Sequence, residues 1–265
     1  PARDTVTGVR LPALASDSVT VPEEGTTFEI APGTPFTRVS QGLAEQGIVS
    51  HPTLLRIYAR VSGQAGSVHA GEYFIEPGTT TAGLLDQFTR GDVLLYSFTI
   101  VEGWNQWDLL RALHAHPQID AQMGEEDWPA LLDELGAETS HPEGLFLPET
   151  YRFPRNTSDR TLLRQAYELM QGVLSDEWPG RAEDAPVATP YEALILASIV
   201  EKETGVADER PTIAAVFINR LRKGMRLQTD PTVIYGMGDR YKGNIRKKDL
   251  LRDTPYNTYT RKGLP

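Results

Sequence analysis

The chain has 265 residues, enough for one large domain or two small ones, and its 40% apolar and 23% charged content is ordinary for a globular protein. The net charge of −10 argues against nucleic acid and against anionic lipid headgroups as docking partners, because both want a broad basic surface. There are no cysteines, which excludes disulfides and thiolate metal sites.

No run of about 18 apolar residues is present, so no membrane-crossing helix is expected in this stretch. No signal peptide is visible. The chain starts at Pro1 without Met, and it reads as an excised piece. All five histidines lie within the first 141 residues, and none has the carboxylate spacing of a zinc site. A Walker-type phosphate loop and a serine nucleophile elbow are both missing from the sequence. No metal and no organic cofactor is expected.

Residues 1–25 show little periodicity and read as a tail or an extended edge segment. Three copies of one pattern follow: Phe28, Ile30, Gly33, Val39, Leu43; Tyr73, Ile75, Gly78, Leu84, Phe88; and Phe98, Ile100, Gly103, Leu109, Leu113. Each copy alternates like a strand up to its glycine and then shifts to helical spacing. Between the first two copies, His51 to Val61 is a predicted helix with Leu54, Leu55, Ile57 and Tyr58 on its apolar side. The order from Phe28 to Ile75 is then strand, helix, helix, strand. With PGTPFTRVSQGL after the first strand, this order resembles a degenerate LysM module. The resemblance implies binding of glycans rich in N-acetylglucosamine, or a small packing domain that has lost its groove.

His116 to Ser140 is acidic and is expected to form helices on a solvated face. In EGLFLPETYRF, Glu143–Phe153, the residues Glu149 and Tyr151 can line a sugar site, since such grooves combine ring faces with carboxylate acceptors. The alternative is a core strand built on Leu145, Phe146, Leu147 and Phe153. Leu162 to Leu174 is a helix with Leu163, Ala166, Tyr167 and Met170 inward. An acidic, proline-bearing linker, 177–190, leads to the next helix.

That helix opens with Thr189 as N-cap, Pro190 at the first position and Glu192 completing a capping box. Its apolar residues cover most of its circumference, so a central position is expected. Glu201 and Glu203 close it. At about 100° per residue they point about 160° apart and cannot form a facing pair. Apolar neighbours and the helix C-terminus both press Glu201 toward a raised pKa, as suits a general acid. Pairing with Arg210, Arg220 or Arg226 is the equally open alternative. A further helix runs from about Asp208 to Gly224, and the loop Arg226–Asp230 carries no apolar demand.

Together, ASIVEKET at Ala197–Thr204, VFINRL at Val216–Leu221, MRLQTDPTVIYG at Met225–Gly236 and PYNTYT at Pro255–Thr260 resemble the MltG (YceG-like) endolytic murein transglycosylases. EGLFLPETYRF fits the same family. The resemblance places Glu201 on the family's catalytic glutamate. It implies a reaction in which Glu201 protonates the glycosidic oxygen and then takes the proton of the muramic C6 hydroxyl, giving 1,6-anhydro ends. In a sugar site, Gln228 and Asp230 would hydrogen-bond acetamido and hydroxyl groups, Tyr259 would stack and Asn257 would hold an acetamido group; Glu149 and Tyr151 complete the candidates.

The expected fold is α+β: a LysM-like module over 26–97, then a mixed α/β catalytic domain over 98–265 that stops short of the family's continuation. The implied partners are peptidoglycan glycan strands and cell-wall synthases. The implied location is the inner membrane, crossed once by an N-terminal helix outside this sequence, with this part in the periplasm. A muramidase using Glu149 or Asp230 as second carboxylate, and a non-catalytic glycan-binding scaffold, are the alternatives.

Overall fold

The computed structural model describes residues 15–265 and two short strands before them, β1 (Thr5–Val6) and β2 (Val9–Arg10), which pair antiparallel. The chain divides into two compact units. The first comprises residues 1–98, 118–120 and 151–157; the second comprises 99–117, 121–150 and 158–265. The class is α+β, as the sequence predicts.

In the first unit, β3 (Thr26–Ile30), α1 (Phe36–Glu45), α2 (Pro52–Val61) and β4 (Gly71–Ile75) follow in the expected strand–helix–helix–strand order. β3 and β4 are antiparallel, with Phe28 opposite Tyr73. This register puts both aromatic side chains on the face covered by α1, α2 and α3 (Thr81–Arg90), where Val39, Leu43, Leu55, Leu84 and Phe88 are buried with them. Tyr73 meets Phe88 edge-on at 4.7 Å between ring centres, a geometry that adds about 1 kcal/mol to simple burial. The Tyr73 hydroxyl donates to the His69 carbonyl at 2.8 Å, and burial, with Asp92 nearby, pushes its pKa up to about 12.

The segment before β3 is stitched to this unit. Val19 N–H donates to the Thr79 carbonyl and Thr20 N–H to the Ile48 carbonyl. β5 (Leu95–Thr99) completes the third strand–glycine–helix repeat with α4 (Gln106–Ala115) in the second unit. Gly33, Gly78 and Gly103 have φ of 74°, 83° and 76°. Those left-handed values are why the pattern needs glycine at each strand-to-helix turn. The twelve apolar positions of the three copies are all buried.

β6 (Ile119–Asp120) follows α4, and α5 (Trp128–Glu134) replaces the solvated helices expected for His116–Ser140. Trp128, Leu131 and Leu132 are buried, and Trp128 packs on Phe146 at 5.5 Å. The acidic residues there hid a short apolar stripe from a reading of charge. β7 (Thr150–Pro154) pairs with β5, and β8 (Thr157–Ser158) with β6. Arg155 returns to the first unit and forms an ion pair with buried Glu72 at 3.0 Å; the Tyr96 hydroxyl donates to the same carboxylate.

In the second unit, α6 (Asp159–Glu177) buries Leu163, Ala166, Tyr167 and Met170 as its spacing predicts. α7 (Pro190–Glu203) and α8 (Arg210–Arg222) share a core of Leu196, Ile199, Val200, Phe217 and Leu227. α7 is not enclosed as expected: Ala197 and Ser198 are exposed. Its apolar circumference exceeds what its neighbours cover. α9 (Asp230–Met237) is an eight-residue helix where the sequence shows only a polar loop and a short apolar run. α10 (Lys247–Leu251) is a single turn.

Candidate active site

The Thr189 hydroxyl oxygen accepts the Glu192 N–H at 3.1 Å, and the Glu192 carboxylate accepts the N–H of Ala188. The capping box is thus displaced by one residue, and the entry to α7 is still satisfied. The helix ends at Thr204 in extended conformation. The Thr204 hydroxyl donates to Glu209 at 2.7 Å and accepts the Val206 N–H at 3.0 Å. This knot sets the short path from α7 to α8 and brings Arg210, the first residue of α8, back over Glu201.

Glu201 is 32% exposed, and its carboxylate lies 3.3 Å from the Arg210 guanidinium. Of the two environments the sequence leaves open for Glu201, apolar burial and an arginine pair, the structure has the pair, with Arg210. The physical reason is the exposed Ala197 flank of α7, which leaves the end of that face facing solvent. The Gly103 turn approaches the same place. A side-chain carbon at Gly103 would sit 3.4 Å from Lys202 Nζ and 3.8 Å from Glu201 Cγ.

Glu203 points elsewhere, as its helical position predicts. It accepts the hydroxyl of Thr229. Thr229, Thr232 and Thr258 are buried and bonded to one another, with Thr229 N–H to Thr258 Oγ1 at 3.1 Å and Thr232 Oγ1 to Thr258 Oγ1 at 2.9 Å. This cluster ties the loop before α9 to the 256–260 segment. Between them, Gln228 is held at φ 52°, a conformation non-glycine residues rarely adopt outside functional loops. Gln228, Tyr259 and Arg226 line a common cavity of about 430 Å³. The Tyr259 hydroxyl donates to Asp230 at 2.7 Å. Burial, then this bond, pushes the Tyr259 pKa up to about 12. Three of the candidate sugar-binding residues thus converge.

The other three do not join them. Asn257 is 1% exposed. Its amide donates to the carbonyls of Asp249, Leu250 and Arg252, and its oxygen accepts the Tyr259 N–H. Those bonds make it a buried brace for α10, its amide hydrogens spent on backbone carbonyls. Tyr151 is 2% exposed in the first unit, on β7 beside buried Phe153; Leu145, Phe146 and Leu147, expected to form a core strand with Phe153, lie before that strand. Glu149 is exposed in the second unit, and its carboxylate accepts the neighbouring Thr150 N–H at 2.7 Å.

A half-buried acid escaped the sequence reading. Glu143 accepts the Gln106 N–H at 3.0 Å and the Tyr235 hydroxyl at 2.9 Å. Tyr235 also packs against Trp107 at 5.7 Å and Tyr256 at 4.9 Å, and the Tyr256 hydroxyl lies 3.1 Å from His141 Nε2. Burial pushes the Glu143 carboxyl up, more than its two hydrogen bonds and nearby Lys202 pull it down; burial likewise pushes His141 down. The available signal was a carboxylate one glycine before the apolar run Leu145–Phe146–Leu147. Among the described residues no group of three or more His, Cys, Asp or Glu side chains is placed to hold a metal ion.

The YceG-like family model matches residues 28–265. An endolytic murein transglycosylase of Bacillus subtilis is 28% identical over 256 residues, covering 89% of this chain and 70% of the relative. A protein of the same name from Streptococcus pneumoniae is 27% identical over 90% of this chain, which spans about half, 48%, of that relative's length. The crystal structure of a yceG-like protein from Listeria monocytogenes superimposes with a TM-score of 0.51 at 25% identity, covering 92% of this chain and 85% of that one.

Proposed function

Because the chain belongs to the YceG-like family, we propose that it is an endolytic peptidoglycan lytic transglycosylase. It cuts between N-acetylmuramic acid and N-acetylglucosamine inside glycan strands and leaves 1,6-anhydromuramic ends. The observation that carries the reading is the separation of the two carboxylates at the end of α7. Glu203 is committed to Thr229, while Glu201 faces outward with Arg210 as its ion-pair partner. Glu203, turned away onto Thr229, is no facing partner for Glu201, which suits a reaction in which a single group acts twice.

In the first step Glu201 gives its proton to the glycosidic oxygen, the C1–O bond breaks, and positive charge develops at muramic C1. In the second step ionised Glu201 takes the proton of that sugar's C6 hydroxyl, and O6 closes onto C1. The proton lost in the first step is regained in the second, and no water is consumed. Ordinary glycosidases instead place a second carboxylate to act as nucleophile or to activate water. Arg210, 3.3 Å away, pairs with the Glu201 carboxylate. The cavity of Gln228 and Tyr259 supplies sugar contacts, with Asp230 orienting Tyr259. The LysM-like unit adds a glycan-holding surface.

The same reading puts this part of the protein in the periplasm, held by a single-pass inner-membrane helix, near cell-wall synthases. Among the described residues no helix is long and apolar enough to cross a membrane. The test is mass spectrometry of sacculi digested with the wild-type protein and with Glu201→Gln. Anhydro ends from the wild type alone are expected. Reducing ends would make it a muramidase, and no release would leave a binding protein.

A further inference from the structure

A second cavity, of about 300 Å³, lies between the end of α9 and α10. Its lining includes Arg240, Lys242, Arg246, Lys248 and Arg252, and one acid, Asp249. The stretch from Arg240 to Arg252 holds six basic residues and one acidic one, a local charge of +5 in a chain whose total is −10. Among the described residues none of the five lining cations is ion-paired with a carboxylate. Asp249, whose carboxylate accepts the Arg246 N–H at 3.0 Å, offsets one of the five charges and leaves the lining at +4.

The cavity is also preformed. The Arg240 guanidinium is anchored on the Gly236 and Met237 carbonyls at the end of α9, at 3.1 and 3.2 Å. The opposite rim is pinned by the buried Asn257 amide through the carbonyls of Asp249, Leu250 and Arg252. Like charges gathered around one concavity repel, and an anion relieves the repulsion. Three of the five are arginines, whose planar forks match carboxylate and phosphate oxygens. An uncharged sugar has no use for such a lining.

We propose that this cavity is an oxyanion-binding site, taking a carboxylate or phosphate group borne by cell-wall material. The identity of the ligand's carrier rests on the proposed function; the oxyanion site does not. Isothermal titration of the whole chain with inorganic pyrophosphate, a murein disaccharide-peptide and an uncharged chitooligosaccharide tests it. The double variant Arg246→Gln, Lys248→Gln serves as control once its circular dichroism and Tm match the wild type. A second variant, Arg252→Gln, covers the case in which the first does not fold.

Pyrophosphate, the disaccharide-peptide or both are expected to bind. Affinity should fall by on the order of tenfold or more in the variants, and also as salt is raised. Binding of the disaccharide-peptide alone identifies carboxylates as the source, and binding of pyrophosphate alone identifies phosphate. Chitooligosaccharide affinity should not change. Failure of both anions to bind, or equal binding by the folded variants, overturns the site even if glycan cleavage proceeds. Adsorption to vesicles containing phosphatidylglycerol without either soluble anion binding would overturn it in favour of a lipid surface. A chain that binds the anions but releases no muropeptides keeps the site and loses the proposed function.

Discussion

Glu201 and Glu203 are two residues apart on one helix, yet they meet different partners, Arg210 and Thr229. Glu201→Gln keeps the shape and removes the proton, so glycan cleavage should drop by about 10²-fold to 10⁴-fold. Glu203→Ala should keep measurable cleavage while losing about 1 kcal/mol of stability with its bond to Thr229. Release of muropeptides and urea unfolding of both variants check this, and comparable losses of cleavage would undo the assignment. Glu143 calls for a pH experiment. Burial raises its folded pKa above the unfolded value of about 4.3. Its favourable contribution is then fully present below the unfolded value and is lost as pH rises through the folded one. A glutamine side chain cannot ionise, so Glu143→Gln should gain stability relative to wild type between pH 4 and pH 7. A relative loss over that interval in urea unfolding would show that the Gln106 and Tyr235 hydrogen bonds outweigh burial.

At the scale of elements, the same strand–glycine–helix unit serves different ends in its three copies. Gly33 has φ 74° and open space around it, while Gly103 has φ 76° and lies against Lys202 and Glu201. Alanine at either position should cost about 1–2 kcal/mol, since both force a side chain into the left-handed region. Only Gly103→Ala should also change cleavage per folded molecule, because its new methyl would touch Lys202 Nζ at 3.4 Å and Glu201 Cγ at 3.8 Å. Thermal unfolding paired with a muropeptide assay separates the two effects. Equal activity in the two variants would mean that the turn does not help to place Glu201. Similarly, Thr80 caps α3 by accepting the Gly83 N–H at 3.1 Å. Thr80→Ala should lower stability by about 1 kcal/mol with cleavage intact.

At the scale of the whole molecule, the first unit is assembled from three separate stretches of chain. A fragment of residues 15–98 would lack Arg155, leaving the Glu72 carboxylate buried without its ion-pair partner, and would lack β7, leaving β5 as a bare edge. Such a fragment should unfold at lower temperature than the intact chain, and Glu72→Gln should partly restore it. Circular dichroism melts of fragment and variant decide this; a fragment as stable as the whole would show that the returning segment adds nothing. The sequence alone determined the repeats, the inward faces of α6 and the limits of α7. All of these follow from local periodicity, glycine geometry and capping within a few residues. It also singled out Glu201 by motif, and Gln228, Asp230 and Tyr259 by their polar loops, as candidates. Only the tertiary structure decided the pairing of Glu201 with Arg210, the half-buried place of Glu143 against Tyr235, the bracing role of Asn257 and the place of Tyr151 in the core. Burial and pairing depend on which distant segments meet, and residue 143 finds residue 235, as residue 249 finds residue 257, through packing that no local pattern encodes.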